Sequence, residues 1–225
     1  MEITFRVRQD MAINIEGFTN GPAATNSFLI WDDEKRGLII DAPPESFNEM
    51  VEAIEREGVK PTALVLTHTH WDHTADVNQF KEYFGDNLLI FVHPEDEYRL
   101  QDPMKHLLWP IPLQMEPTKP DRYLRGGDEL TLGDEMLFEI IHAPGHTEGS
   151  ICLYDRRRSL IFVGDVLFSG SVGRTDLPGG DHETLMESIR QHLLPLPDDT
   201  RVFPGHGPAT TIGVERETNP FVEVG

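Results

Sequence analysis

The sequence predicts an α/β protein made of two mixed β-sheets with helices on the outside. Three observations lead there. Short apolar runs of strand length alternate with segments of helical period. The order of strands followed by helices occurs twice, once in each half of the chain. The chain has 225 residues, 38% of them hydrophobic, which suffices for a full core. It shows no low-complexity linker and no short-period repeat, so a single domain over 1–225 is expected.

The elements follow in order. Phe5–Val7 and Ala12–Ile15 read as short strands. Ser27–Trp31 and Gly37–Asp41 read as two more, joined by a stretch of hairpin-turn composition, Asp32 to Arg36. The period then changes: Phe47, Met50, Val51 and Ile54 share one helical face, and Gly58 stands where a C-terminal cap belongs. Thr62–Thr67 is a buried-type strand, Ala75 to Phe84 a helix with Val77, Phe80 and Phe84 on one side, and Leu88–Val92 another strand.

Pro94 to Arg125 is less regular and holds Pro103, Pro110, Pro112, Pro117 and Pro120 among Leu107, Leu108, Trp109 and Met115. Two readings stay open for it: a lid or pocket wall, or a surface loop packing its own apolar residues. Glu129–Leu132 and Met136–Ile141 form a hairpin pattern across Gly133-Asp134, and Ile151–Tyr154 pairs with Leu160–Val163. Glu183 to Leu194 is a helix with Asp181 as its N-cap, and Arg201–Phe203 is a last short strand.

Net charge is −20, which repels a phosphate backbone and argues against nucleic acid as a partner. It does not weigh against a small substrate, because a metal-centred cleft can be locally positive inside an acidic protein. Cys152 is the only cysteine, so no internal disulfide forms, as fits a reducing compartment. Met1 to Asp10 lacks an apolar run of signal-peptide length, and no stretch approaches the roughly 20 apolar residues of a membrane span. A soluble, cytoplasmic protein with no membrane partner is the expectation. Oligomeric state leaves no mark in the sequence.

The central chemical signal is His68-Thr69-His70-Trp71-Asp72-His73, directly after a predicted strand. Four metal-capable side chains fall within these six residues. If strand geometry persists, His68 and His70 point the same way, and Asp72 and His73 must turn toward a second position. The spacing therefore supplies ligands to two adjacent ions rather than four to one. His146, Asp165 and His206 repeat the context: each follows a predicted strand and each has a glycine beside it, where the backbone can approach closely.

These pieces resemble the metallo-β-lactamase superfamily, in its glyoxalase II-like branch. The resemblance rests on His68-Thr69-His70-Trp71-Asp72-His73, Pro144-Gly145-His146-Thr147, Gly164-Asp165 and Pro204-Gly205-His206-Gly207, in that order and over most of the chain. It implies a four-layer αββα sandwich. It also implies that His68, His70 and His146 hold one divalent metal, that Asp72, His73 and His206 hold a second, and that Asp165 bridges them. Imidazole and carboxylate ligands without a thiolate suit zinc first, with iron or manganese as alternatives. True β-lactamases of the superfamily often carry a cysteine where Asp165 stands, which argues against antibiotic hydrolysis as the main role.

The implied chemistry is hydrolysis of a thioester or ester: a hydroxide held by two ions roughly 3.5–4 Å apart attacks a metal-polarised carbonyl. Asp72 is also a candidate to take a proton during turnover. The glycine-rich stretch Gly170 to Asp181 resembles the loop of compact glyoxalase II-like enzymes that lack a helical C-terminal domain. In it Arg174 is the candidate to meet a substrate carboxylate; a structural ion pair with Asp176 or Asp181 is the competing reading. Too little chain follows His206 for a C-terminal domain that would hold glutathione, so S-lactoylglutathione is not singled out among thioesters. Iron-dependent persulfide dioxygenases resemble the chain in the same motifs and form the alternative.

Other residues have plainer readings. His93 and His142 suit supporting or surface roles, and His106, His182 and His192 are most simply solvated. Trp71 either walls the pocket or packs on the sandwich. Asp41 either supports the metal loop by hydrogen bonding or caps a turn. Cys152 is a small buried hydrophobe.

Overall fold

The computed structural model describes residues 3–6, 13–108 and 110–222. Val7, Ala12 and Trp109 lie outside the described residues. Two compact units emerge: Met1–Tyr123 with Thr131–Met136, and Leu124–Leu130 with Leu137–Gly225.

The first unit is built on a seven-stranded sheet whose strands lie side by side in chain order. They are β1 (Ile3–Arg6), β2 (Ile13–Asn20), β3 (Thr25–Asp32), β4 (Arg36–Ile40), β5 (Lys60–Val65), β6 (Leu89–Val92) and β7 (Arg122–Tyr123). The first four run antiparallel, and β4 through β7 run parallel. The parallel strands read as near-continuous apolar runs because both faces are covered: Leu38, Ile39, Leu64, Val65 and Ile90 are all fully buried. α1 (Phe47–Glu57) covers this sheet through Met50, Ala53 and Ile54, and ends at Gly58 in the left-handed region (φ 69°) as the sequence predicts. The turn between β3 and β4 likewise closes where expected, with Lys35 at φ 64°.

Three expectations shift here. The strand predicted at Thr62–Thr67 stops at Val65, because the Thr67 N–H is taken by a side chain rather than a neighbouring strand. The helix expected over Ala75–Phe84 starts at Val77 as α3 (Val77–Phe84), and a short helix the sequence did not announce, α2 (Trp71–Thr74), precedes it. They break at Asp76, whose carboxylate accepts from the Phe47 N–H and does not cap α3. The irregular 94–125 stretch contains a 3-10 turn at Pro94–Asp96, then α4 (Glu97–Gln101) and α5 (Pro103–His106), before β7.

The second unit carries a six-stranded sheet, ordered β15-β14-β11-β10-β9-β8. Its strands are β8 (Glu129–Leu132), β9 (Met136–His142), β10 (Ile151–Asp155), β11 (Leu160–Gly164), β14 (Arg201–Pro204) and β15 (Thr210–Thr211). β12 (Leu167–Phe168) and β13 (Ser171–Val172) form a small separate ribbon. β10 and β11 are buried along their whole length. α6 (His182–Ser188) starts at Asp181, whose side chain accepts from the Thr184 N–H at 2.8 Å. It continues into a π-helical turn, Ile189–Leu193, and packs Leu185, Ile189 and Leu193 on Ile161, Val163 and Val202.

A final helix, α7 (Ile212–Thr218), has no counterpart in the sequence reading. It is two turns long, carries a glycine near its start and exposes Val214, so no apolar period announces it. Its buried Glu215 accepts from Thr210 Oγ1, the Gly170 N–H and Asn219 Nδ2, which anchors the glycine-rich loop.

Candidate metal centre

The ligand run of the first unit lies where β5 ends, and its shape is imposed by two buried aspartates. Asp41 follows β4 in a left-handed conformation (φ 59°), which aspartate tolerates better than most residues. Its carboxylate accepts from the Thr67 N–H at 2.8 Å, from Thr67 Oγ1 at 2.7 Å and from His73 Nδ1 at 2.8 Å. Backbone bonds complete the tie, with Ala42 N–H donating to His73 O and Asp76 N–H to Ala42 O. Asp96 does the same one turn along the loop. It accepts from the Thr69 N–H at 2.9 Å while its other oxygen pairs with Arg99 at 3.0 Å, both side chains buried.

This scaffold gathers the histidines. The His68 ring centroid lies 4.9 Å from that of His70 and 4.1 Å from that of His73. His68 and His73 are buried, and His70 and Asp72 are partly exposed. Because Nδ1 of His73 donates to Asp41, its Nε2 is the lone-pair nitrogen, and that atom lies 3.8 Å from Asp72 Oδ2. Asp72 is itself steadied by a 3.2 Å bond from Thr25 Oγ1.

In the second unit three strand ends converge. Gly145 precedes His146 at φ 127°, and a Cβ there would sit 2.2 Å from the Leu185 N, so only glycine lets the loop pass under α6. Asp165 follows β11 and His206 follows β14; the two turns are bonded through Gly205 N–H to Gly164 O at 2.8 Å. Asp165 Oδ2 consequently lies 3.5 Å from His146 Nε2 and 3.3 Å from His206 Nε2. Nδ1 of His146 donates to the Arg174 carbonyl at 2.7 Å, again turning Nε2 inward. Gly173 is required at this approach, because a Cβ would meet Asp165 O at 1.9 Å.

The donor set fits divalent metal. Imidazoles that ligate metal commonly donate their second ring N–H to a carboxylate or backbone carbonyl, and His73 and His146 each do so. The remaining donors are imidazole and carboxylate, and the one cysteine is buried within β10. The first unit thus brings together His68, His70, Asp72 and His73, and the second brings together His146, Asp165 and His206.

Arg174 is exposed and forks onto Asp176, Nε to Oδ1 and Nη2 to Oδ2, both at 2.7 Å. The guanidinium holds the Asp176 carboxyl at about 2. His142 Nε2 bonds Glu148 O, and buried His93 accepts from the Glu95 N–H. The supports that the sequence did not disclose are Asp96, Arg99 and Thr25. Nothing in their own neighbourhoods distinguishes them, since Asp96 stands in an ordinary acidic run, Glu95 to Glu97.

A fold of this type, carrying histidine and aspartate clusters at strand ends, is that of a metallo-hydrolase. The model of the metallo-β-lactamase superfamily matches residues 20–206. Hydroxyacylglutathione hydrolase GloC of Haemophilus influenzae is 39% identical over 219 residues, covering 93% of this chain and 98% of that protein. Among solved structures, BLEG-1, a B3 metallo-β-lactamase, is similar with a TM-score of 0.84 and 37% identity, over 92% of this chain and 99% of that one. TTHA1623, solved in a di-iron-bound form, gives 0.80 and 37% over 91% and 98%. The chain belongs to the metallo-β-lactamase superfamily and has its fold, two β-sheets flanked by helices. Among the described residues no helix is long and apolar enough to cross a membrane.

Proposed function

We propose that this metallo-hydrolase cleaves thioesters of the hydroxyacylglutathione type. In this reading His68, His70 and His146 hold one divalent cation, Asp72, His73 and His206 hold a second, and Asp165 serves both. The observation that carries it is the pair of fixed imidazoles: the contacts of Asp41 with His73 and of the Arg174 carbonyl with His146 orient Nε2 as a metal ligand requires. The 39% identity to a hydroxyacylglutathione hydrolase over nearly the whole chain supports the thioester as substrate.

Bound cations would polarise the acyl carbonyl and lower the pKa of water toward neutrality. The chain's own residues do the rest. Water adds its oxygen to the acyl carbon, the C–S bond breaks, and the thiol leaves as the acid forms. In this reading Asp72, partly exposed beside His73, accepts the proton released by that water and passes it to the departing sulfur. Arg174 receives a substrate carboxylate only by exchanging Asp176 for it. Zinc is the first candidate metal, and a di-iron form in TTHA1623 keeps iron in view.

The test is elemental analysis of protein purified without added metal, together with S-lactoylglutathione hydrolysis. About two metals per chain and thioester cleavage are expected. One iron per chain with O₂ uptake on glutathione persulfide would replace the hydrolase by a dioxygenase. A β-lactam assay on the same preparation covers a second reading, favoured by the similarity to BLEG-1.

A further inference from the structure

Beside the ligand run, the first unit contains a cavity of about 310 Å³. Pro22 from the β2–β3 turn, Pro44 and Phe47 around the start of α1, and Trp71 line it. Ile111 and Leu113, from the irregular 94–125 segment, line it as well. This volume lies at the lower end of the range of small-molecule sites, about 300–1,000 Å³. An apolar cavity of about 150 Å³ accommodates one benzene ring, so this one takes a larger guest.

The polar groups in the lining point to the character of that guest. Asp76 is engaged on both oxygens, by Gln79 Nε2 at 2.8 Å and by the Phe47 N–H at 3.0 Å. Gln79 is thereby engaged as well. Glu45 and Asn48 stand exposed in the lining. Among the described lining residues there is no lysine, arginine or histidine. Burial raises the Asp76 carboxyl above the usual aspartate range, as expected where water is scarce. Such a lining accepts an uncharged apolar group and repels a carboxylate.

Position supplies the rest. Trp71, which lines the cavity, stands in the sequence between His70 and Asp72, two of the proposed ligands. We infer that it is the acyl pocket: it takes the apolar acyl chain of the thioester, and the anionic thiol carrier lies elsewhere. The inference rests on the thioester reading above and extends it from hydroxyacyl groups to acyl groups larger and less polar than acetyl.

The test is a series of acetyl-, butyryl-, hexanoyl- and phenylacetyl-glutathione on the metal-loaded protein and on Leu113→Trp, which fills the cavity. Each methylene buried is worth a factor of about four. Burying two of the four added methylenes therefore raises kcat/KM about fifteenfold from acetyl to hexanoyl. In Leu113→Trp that ratio is expected to fall toward one. A flat chain-length profile in the wild type, or a ratio unchanged by the substitution, overturns the assignment. Hexanol and hexanoate titrated against tryptophan fluorescence test the cavity without catalysis: saturable hexanol binding, weaker hexanoate binding and loss of both in Leu113→Trp are expected. If no thioester is cleaved yet hexanol binds in this way, the apolar pocket stands and the thioesterase reading falls. If hexanol does not bind, the pocket falls as well.

Discussion

Replacing Asp41 by asparagine separates what the carboxylate does for stability from what it does for the metal site. Asp41 Oδ1 accepts from the Thr67 N–H, and Oδ2 accepts from Thr67 Oγ1 and His73 Nδ1. Asparagine keeps an oxygen for the Thr67 N–H and keeps the left-handed backbone at φ 59°. It places an NH₂ donor where Oδ2 stood. The Thr67 hydroxyl can rotate to accept from it, but His73 can do so only by changing tautomer, which puts the proton on Nε2 and removes the lone pair that would bind metal. Loss of a supporting partner of this kind lowers metal affinity about 10–100-fold. Loss of one charge-assisted bond costs about 1.5–3 kcal/mol of stability. Asp41→Ala goes further, stranding buried donors on Thr67 and His73 and straining the backbone, for about 2–5 kcal/mol. The assay is competitive metal titration with a chromophoric chelator, alongside thermal melts of the metal-free proteins. At this chain length each kcal/mol moves Tm by about 2–4 °C. Asp41→Asn that melts a few degrees low yet binds metal as tightly as the wild type would refute the tautomer argument.

Four further outcomes follow from the same geometry. Asp96→Ala leaves buried Arg99 without its carboxylate and is expected to cost about 3–5 kcal/mol in denaturant unfolding, more than Arg99→Met. Gly145→Ala forces a Cβ onto the Leu185 backbone at a φ of 127° and should cost about 2–5 kcal/mol, with weaker metal binding through His146. Asp176 should titrate near 2 by NMR and return toward 3.8 in Arg174→Gln. Because its folded value is depressed, the pair's small contribution is present above pH 3.8 and is lost as pH falls toward 2. Cys152 is fully buried and burial pushes its thiol up, so a thiol reagent should label it only after unfolding.

The sequence disclosed most where one short stretch held the whole signal. The β3–β4 turn, α1 with its Gly58 cap and α6 with its Asp181 cap were readable because cap and apolar period lie within a few residues of each other. The proposed ligands stand out in the sequence for the same reason, as dense histidines or as single residues beside glycine at strand ends. Gly145 and Gly173 show why that glycine matters: a side chain at either would strike backbone. The reading failed where the deciding contact comes from far away in the chain. The strand read at 62–67 ends two residues earlier, at Val65, because Asp41, 26 positions before Thr67, takes the Thr67 N–H. The break at Asp76 depends on Phe47, 29 positions away. α7 was missed because its anchor, Glu215, is satisfied by Gly170, 45 residues upstream.

That division has a physical cause. A metal ligand needs a particular side-chain type, so its chemistry shows in the sequence. A supporting carboxylate needs only to arrive at the right place, and any of the 39 acidic residues looks alike until the fold selects one. Asp41, Asp76 and Asp96 are three that the fold selects, each spending its lone pairs on backbone N–H groups of the ligand loop or its neighbours. Their burial is tolerable because those bonds replace hydration. The −20 charge is therefore not only a surface property. Part of it lies beneath the His68–His73 run, where Asp41 holds His73 in the tautomer that leaves Nε2 open to a cation. The acidity that argues against nucleic acid thus favours a dinuclear cation site, and a single cause accounts for both.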